Sequence, residues 1–349
     1  MERPHFDTEP FVKRRRCIIG NAYEGTQGNQ NIRMGGRIHM KRITKYMIAV
    51  FLISMLLPWN AQAKTKSIVN CKSKKYSYSD MKKDIQQLAK KYPDYCSYKV
   101  IGKTRQGRNI YDFMIGNPEA EKSLLVISTI HAREYVCSAT TMRIAEYYLD
   151  NYDKKIGGTK PGKVFDKVQL HMIAMANPDG VYISQHKQAN WKSNSKGVDI
   201  NRNFPIRFKI QGKKGLGGYS GKKANSEKET KAIIKLTKQL KKEQQLCAQV
   251  NYHAMGNIIF GSYDGKNKRI KKECAQIYKI ARKETGYADS AGYVGSSSGN
   301  CRDYMLEKIK VPSITIEVGT TTCPVAYREY NRIFEKNKDV LIRIAKLYQ

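Results

Sequence analysis

The sequence contains no C-x-x-C pair, although it has eight cysteines. Zinc-finger and thioredoxin-like proteins depend on such pairs, so both classes are excluded. It also lacks an apolar run long enough to cross a membrane. Its most apolar stretch, Met47 to Leu57, has eleven residues, where an ordinary span needs about twenty.

Residues 40–63 have the layout of a secretory signal peptide. A basic start precedes the apolar stretch, a break follows at Pro58, and the small-x-small triplet "AQA" (61–63) provides a cleavage site. We expect a secreted or cell-envelope protein with no transmembrane span after cleavage; an uncleaved anchor is the alternative. Residues 1–39 carry the basic run "KRRR" and are predicted to be a non-native or disordered extension upstream of the initiator Met40.

Acidic residues are scarce in the chain that cleavage would leave, residues 64–349. Removal of 1–63 takes ten Lys and Arg and four Asp and Glu, so 54 basic and 26 acidic residues remain, a net charge of +28. Such an excess attracts polyanions. For an exported protein these are an anionic cell wall or anionic lipid and not nucleic acid; a merely solvated lysine-rich surface is the alternative. Seven cysteines remain, and the sequence leaves their pairing open.

Strand-like and helical patterns alternate along the rest of the chain. Strands are predicted in "SYKVIG", "NIYDFMIG", "SLLVISTI", "KVQLHMIAMANPDG", "LCAQVNYHA" and "VPSITIEVG". Helices are predicted over 134–152, 227–245, 266–285 and 327–347, after a first amphipathic helix capped by Ser79 and Asp80, and a loop-rich segment spans 181–223. This order predicts one three-layer α/β/α sandwich on a mixed, largely parallel, twisted sheet.

Polar residues follow several of the predicted strands. His131, the segment 177–180, His253 and Glu317 each stand at a strand end. Ligands of parallel α/β sheets bind at the carboxyl ends of the strands. The sequence therefore predicts an active site at this edge.

Two of these polar residues, together with a nearby glutamate, could bind a metal ion. Catalytic zinc takes three ligands from His and carboxylates and keeps a fourth position open, and His131, Glu134 and His253 supply such a set. Taken alone, H-x-x-E is a weak signal that can arise by chance. The other two histidines of the mature chain serve as controls: His171 lies in an apolar strand pattern and is expected to be packed, and His186 lies in a polar loop.

Five segments together resemble the M14 zinc carboxypeptidases. "HARE" is similar to the H-x-R-E motif of that family, and its further landmarks are matched in order by "NPDG" (177–180), "GVDINRNF" (197–204), "NYHAMG" (251–256) and "SITIEVG" (313–319). The similarity extends over residues 76–345. It implies a single zinc peptidase catalytic domain over 64–349 with one Zn²⁺ per chain.

The resemblance also implies roles for single residues. His131, Glu134 and His253 would be the zinc ligands, and Asp199 would hydrogen-bond the free nitrogen of His131. Glu317 would be the general base that takes a proton from water and passes it to the leaving amine.

The same resemblance also implies which residues contact the substrate. Asn201 and Arg202 would hold the substrate carboxylate. Arg133 would touch the substrate farther from the scissile bond. Tyr293 would be the mobile tyrosine of the family. Lys192 stands where the family has an oxyanion-stabilising arginine. Lysine supplies the positive charge but not the two parallel hydrogen bonds of a guanidinium, so weaker oxyanion stabilisation is expected.

Arg302 falls where the family has the residue at the floor of its specificity pocket. A basic floor predicts an acidic side chain in the pocket. Peptides ending in Asp or Glu fit, and so do cell-wall stem peptides, whose diaminopimelate carries an extra carboxylate; export favours the second. Alternatively, Arg302 is only a surface partner of Asp303 or Glu307.

We therefore expect a secreted zinc metallopeptidase that cuts a peptide or γ-glutamyl amide bond near an acidic terminal residue in peptidoglycan stem peptides. Three alternatives remain at this point. They are a broad-specificity metallocarboxypeptidase for peptide scavenging, an amidase of related fold, and a catalytically weak cell-wall-binding protein on the same scaffold.

Overall fold

The computed structural model describes residues 67–70, 75–215, 217–290, 298–320 and 322–349, which belong to one compact unit. The predicted signal peptide, the extension before it and Tyr293 lie outside the described residues. Within the described ranges, no helix has the length and apolar character needed to cross a membrane.

The described strands form one eight-stranded sheet. They are β1 (Cys96–Lys103), β2 (Asn109–Ile115), β3 (Lys122–Ser128), β4 (Val168–Ile173), β5 (Gln245–His253), β6 (Ile258–Phe260), β7 (Ala288–Asp289) and β8 (Ser313–Glu317). Their order is β1-β2-β4-β3-β5-β8-β6-β7. The central strands β4, β3, β5 and β8 are parallel, while β1–β2, β2–β4 and β6–β8 are antiparallel pairs. The prediction of a mixed, largely parallel sheet is confirmed.

Helices connect and cover the strands. They are α1 (Tyr78–Lys91), α2 (Val136–Asp150), α3 (Pro161–Phe165), α4 (Pro178–His186), α5 (Lys228–Glu243), α6 (Lys268–Thr285), α7 (Cys301–Tyr304), α8 (Tyr330–Asn337) and α9 (Val340–Lys346). Short 3₁₀ turns at Ile200–Arg202 and Tyr327–Glu329 and a π-helical turn at Met305–Ile309 complete the described elements.

The central strand β3 shows why the fold has three layers. Leu124 and Val126 belong to one hydrophobic cluster, shared with α1, α2 and α9. Leu125 and Ile127 belong to a second cluster, shared with α5. Successive side chains of a strand point to opposite faces, so both faces of β3 are covered by helices. This double burial explains the absence of polar alternation in the run.

The cap of α1 differs from the prediction. The Ser77 hydroxyl accepts a hydrogen bond from the Asp80 amide at 3.2 Å, and the Asp80 carboxylate accepts one from the Ser77 amide at 2.9 Å. This reciprocal capping box starts the helix at Tyr78. The predicted cap at Ser79 and Asp80 was therefore two residues too late.

Two other element boundaries were also wrong. Helix α4 occupies the start of the predicted loop 181–223, because Asn177 accepts a hydrogen bond from the Gly180 amide and Pro178 suits a first helical turn. The predicted terminal helix 327–347 is instead a 3₁₀ turn followed by two shorter helices, α8 and α9.

Candidate active site

Three parallel neighbours, β3, β5 and β8, end at one edge of the sheet. Ser128 at the end of β3 pairs with Tyr252, and His253 at the end of β5 pairs with Glu317 at the end of β8. His131 follows β3 by three residues. The shared direction of the strands thus gathers these polar residues, as the sequence predicted.

The three expected metal ligands lie together and are buried. His131 Nδ1 is 2.8 Å from one oxygen of Glu134, and His253 Nδ1 is 2.9 Å from the other. The two ring nitrogens are 3.0 Å apart, and the ligand atoms of the three residues all lie within 4.8 Å of one another. Two imidazoles and a carboxylate converging in a buried site fit Zn²⁺.

The charge of Glu134 suits this role. Although burial acts to raise its pKa, the adjacent His131 and His253 hold the pKa of Glu134 well below its usual range. The amide of Ala254 also donates to this carboxylate at 3.2 Å. Glu134 is therefore an anion, which is the state that binds a cation.

Asp199 lies behind His131. Its Oδ1 is 3.2 Å from His131 Nε2, the ring nitrogen that faces away from Glu134. The Asp199 carboxylate is itself positioned by the amides of Asn201 and Gly218, each at 3.0 Å. Burial opposes ionisation, but the neighbouring His131 holds the pKa of Asp199 well below its usual range. A fixed anion at this nitrogen orients the imidazole and makes it a better ligand.

Glu317 sits beside the three ligands in a different electrostatic setting. Burial raises the pKa of Glu317 to about 7, against the opposing effect of His253. Since a general base works best with a pKa near the working pH, this carboxyl is suited to proton transfer.

A cavity of about 230 Å³ opens in front of these groups. The residues that line it are His131, Lys192, Asn201, Arg202, Asn251, His253, Phe260, Asn300, Arg302, Asp303, Thr315 and Glu317. It brings together seven of the predicted site residues, whereas Glu134 and Asp199 are not among its lining. Arg133 instead lines a separate cavity with Asn190, Met255 and Cys323.

The loop that carries Lys192 is tied to the loop that carries His131. The Lys192 carbonyl accepts a hydrogen bond from Ala132 at 3.0 Å. The side-chain Nδ2 of Asn177 donates to the carbonyls of both Ile130 and Ser193, at 3.1 and 3.2 Å. The asparagine of "NPDG" thus holds the two loops at a fixed separation.

A glycine allows the segments bearing Asn201 and Arg302 to meet. Gly299 has a φ of +67°, and a Cβ there would lie 2.1 Å from the Arg202 carbonyl oxygen. Only glycine tolerates both conditions. The Asn201 side chain then accepts a hydrogen bond from the Cys301 amide at 2.8 Å, which places Arg302 at the cavity.

Arg302 is largely buried, with 17% of its side chain exposed. It donates to the carbonyl of Ser262, and its Nη1 lies 3.7 Å from Asp303 Oδ1. Arg207 contacts both Asp303 and Glu307. Arg302 therefore shares Asp303 with Arg207, whereas Glu307 is bound by Arg207.

Sequence reasoning missed several residues of the cavity wall, namely Asn251, Phe260, Asn300, Asp303 and Thr315. Two of them could have been found. Asn251 and Thr315 stand two residues before His253 and Glu317 on their strands, and residues two apart share a face.

The two control histidines lie elsewhere. His171 is buried, 2.8 Å from Asp112, as expected of a packed histidine, and His186 is exposed and stacks on Tyr182. Six cysteines lie in the described part of the chain, and all six are free thiols: Cys96, Cys137, Cys247, Cys274, Cys301 and Cys323.

Comparisons with known proteins agree with this geometry. A family model described as zinc carboxypeptidase matches residues 81–338. The chain is 23% identical over 294 residues to the gamma-D-glutamyl-L-diamino acid endopeptidase 1 of Lysinibacillus sphaericus, covering 75% of this chain and 70% of that protein. It is 25% identical over 274 residues to metallocarboxypeptidase A of Trichophyton rubrum, covering 70% of this chain and 64% of that protein.

A solved structure shows the same fold. The carboxypeptidase A of Helicoverpa armigera superposes with a TM-score of 0.66 at 18% identity, covering 86% of this chain and 81% of that one. The predicted α/β sandwich is confirmed.

Proposed function

Since the chain belongs to the M14 family of zinc carboxypeptidases, it is a zinc metallopeptidase, and we propose that it cuts a peptide or γ-glutamyl amide bond next to an acidic side chain in cell-wall stem peptides. The observation that carries this proposal is Arg302 in the wall of the catalytic cavity. A largely buried guanidinium is costly unless an anion accompanies it. Asp303 lies 3.7 Å from Arg302 Nη1 but is shared with Arg207, and a substrate carboxylate would supply a second anion.

The cavity residues divide the chemical work among them. When bound by His131, Glu134 and His253, Zn²⁺ supplies a Lewis acid that polarises a carbonyl and makes water more acidic. Glu317 takes the proton from the attacking water and returns it to the leaving amine.

Positive groups on the cavity wall orient the substrate. Asn201 and Arg202 hold a carboxylate, for which the planar guanidinium gives bidentate geometry. Lys192 places a positive charge on the same wall, where negative charge develops on the scissile carbonyl oxygen. Lysine cannot form the two parallel hydrogen bonds of a guanidinium, so we expect Lys192 to stabilise this oxygen less than an arginine would.

The activity named for the Lysinibacillus sphaericus relative supports the choice of bond. That protein is a gamma-D-glutamyl-L-diamino acid endopeptidase. A diamino acid with a second carboxylate would present an anion to Arg302. The second candidate, a broad-specificity metallocarboxypeptidase, is supported by the name of the fungal relative.

Product mapping separates these two candidates. Zinc-loaded protein is incubated with a γ-D-glutamyl-diaminopimelate stem peptide and, separately, with a peptide ending in phenylalanine, and the products are identified by mass spectrometry. Cleavage of the γ-glutamyl bond with an intact phenylalanyl peptide supports the proposal. Stepwise loss of terminal residues from the phenylalanyl peptide alone supports the carboxypeptidase. A protein that binds wall fragments without cutting either peptide, and behaves the same as Glu317→Ala, would be a binding protein.

We also propose that the protein is exported by the signal peptide at 40–63, on the sequence pattern described above. N-terminal sequencing of protein recovered from outside the cell should begin at Lys64. Recovery of the same protein only in the cytosol with an intact N-terminus would contradict export.

A further inference from the structure

Helix α5 exposes a line of lysines. Of its sixteen residues, the exposed ones are Lys228, Lys231, Lys235, Lys238, Lys241, Lys242 and Glu243. Side chains three or four positions apart on a helix are neighbours, so the six lysines run along one face, which we call the lysine stripe. At a rise of about 1.5 Å per residue, the stripe extends over roughly 21 Å.

The lysine stripe repels itself. Within the described ranges, none of its six ammonium groups forms an ion pair with an acidic side chain. Lysines three or four positions apart repel one another. Lys228 and Lys231 also place two cations in the first turn, where the helix dipole is positive. A bound anion would relieve both kinds of repulsion.

The other lysine-rich helix is built differently. On α6, the exposed Ala275 and Gln276 interrupt the basic face, and Arg269 Nη1 pairs with Glu273 at 2.8 Å. A basic composition alone therefore does not produce an unbroken and unpaired line of lysines on a helix. The stripe of α5 calls for a reason of its own.

The lysine stripe starts near the catalytic edge of the sheet and leads away from it. Glu227, which precedes the helix, accepts a hydrogen bond from Asn194 at 2.8 Å, and Asn194 follows Lys192 of the cavity wall by two residues. Beyond the other end of the helix, Gln245 pairs with Lys122 at the start of β3, on the opposite edge of the sheet. A polymer lying along the stripe would therefore pass the catalytic edge at one end, with most of its length away from the cavity.

We propose that the lysine stripe is a docking surface for a linear phosphodiester polymer of the cell wall, with poly(glycerol phosphate) as its simplest form. A chain with one phosphate in every repeat pairs with successive lysines along the helix, and the release of its counterions drives binding. The contact tethers the enzyme to the wall and leaves the cavity free. This goes beyond the proposed function, because the polymer is a docking partner and not a substrate.

Two other polyanions fit the stripe less well. Helices that lie on anionic lipid insert an apolar face, but the apolar face of α5 is buried in the cluster that contains Leu125 and Ile127 of β3. Single-stranded nucleic acids stack their bases on aromatic side chains, and the sequence of α5 contains none. The stripe offers contacts to charged groups alone, which is what a phosphodiester chain without bases requires.

Binding of soluble poly(glycerol phosphate), measured by calorimetry at several salt concentrations, tests the proposal without a cleavage step. Lys231→Gln, Lys235→Gln and Lys238→Gln are combined in one stripe variant, because glutamine removes the charge and is a similarly good helix former. We expect its affinity at about 0.1 M salt to fall roughly tenfold or more. The slope of log Kd against log salt concentration should fall by about two to three, since three lysine–phosphate contacts are lost.

A matched control removes the same charge from α6. The combined variant Lys268→Gln, Lys272→Gln and Lys279→Gln changes three exposed lysines and should retain most of the wild-type affinity and salt slope. Both variants should cleave a small soluble stem peptide with wild-type kcat/KM, which shows that each is folded with an intact cavity. An equal loss of affinity in the two variants would mean diffuse attraction to the whole basic surface and would overturn the proposal.

Two further ligands test the identity of the partner. Phosphatidylglycerol vesicles and single-stranded RNA are compared with the polymer at equal phosphate concentration, and we expect the wild type to bind both more weakly than the polymer. Tighter binding of either one, lost in the stripe variant, would contradict the wall polymer as the partner. If no peptide is cleaved, the proposed function fails; thermal unfolding then shows that both variants are folded, and the binding comparison still decides whether the stripe docks the polymer.

Discussion

His253 and Glu317 are register partners at the carboxyl ends of the neighbouring parallel strands β5 and β8. The pairing places a proposed metal ligand and the proposed base at the same depth of one cavity. The backbone ladder, and not a flexible loop, thereby sets the distance over which a proton must move. The same two strands pair Asn251 with Thr315, two residues before His253 and Glu317.

Glu317→Gln should abolish most activity without loss of the metal. Glutamine keeps the shape but cannot accept the proton, so kcat should fall by about 10²–10⁴-fold, the usual contribution of a general base. Steady-state kinetics and metal analysis on the same preparation check this. Unchanged kcat would remove Glu317 from the mechanism, and loss of zinc would instead make it a metal-site residue.

His253→Ala should lose zinc, whereas His186→Ala should retain it. The first change removes one of three converging ligands, and the second alters an exposed histidine on α4. Metal analysis should find one zinc per chain in the wild type and the control. Chelation of the wild type should abolish activity and lower Tm, because a ligand bound only to the folded state stabilises it. Zinc retention by His253→Ala would contradict the assigned ligand set.

Asp199→Asn should weaken zinc binding and leave the fold intact. Replacing the anion behind a ligand histidine usually costs about 10–100-fold in metal affinity or activity. Competition with a chromogenic chelator measures the affinity directly. An unchanged affinity would mean that Asp199 serves only to cap the turn at Ile200–Arg202, which its hydrogen bond to Asn201 also does.

Glu229→Gln should make stability less dependent on pH. Burial raises the pKa of Glu229 to about 7 from 4.5, so the folded protein holds this proton more tightly than the unfolded chain does. The resulting stabilisation is complete below pH 4.5 and is lost as the pH rises through 7. Above that range the variant should exceed wild type by on the order of 3 kcal/mol in free energy of unfolding, with little difference near pH 4.

Denaturant unfolding at several pH values checks this prediction, and Glu243→Gln provides a control. Glu243 is exposed at the end of the same helix, where it accepts a hydrogen bond from Gln239. That variant should follow the wild-type curve. A constant difference between Glu229→Gln and wild type from pH 4 to 8 would show that folding does not shift the pKa of Glu229.

The layered sheet and the gathering of polar residues at its edge could be predicted from local patterns. The all-apolar run of β3 indicates a strand buried on both faces, and His131, His253 and Glu317 each follow such a run. The start of α4 could not be predicted from local patterns, because Pro178, Asp179 and Gly180 are typical of a turn. They form a helix because Asn177 caps it while holding two catalytic loops.

The charge environment of Arg302 depends on contacts distant in sequence. Arg207 binds Asp303 across 96 positions, so no local pattern shows that Asp303 is already engaged. Asn251, by contrast, could have been placed at the cavity from its position two residues before His253, because residues two apart on a strand share a face.

The selectivity proposed for Arg302 is tested by measuring kcat/KM of zinc-loaded wild type and Arg302→Leu on two matched substrates, one with an acidic and one with an aromatic residue in the selected position. We expect the wild type to prefer the acidic substrate by about tenfold or more, and Arg302→Leu to lose or reverse this preference because a buried carboxylate is left unpaired. A wild-type preference for the aromatic substrate, or an unchanged preference in the variant, would contradict it.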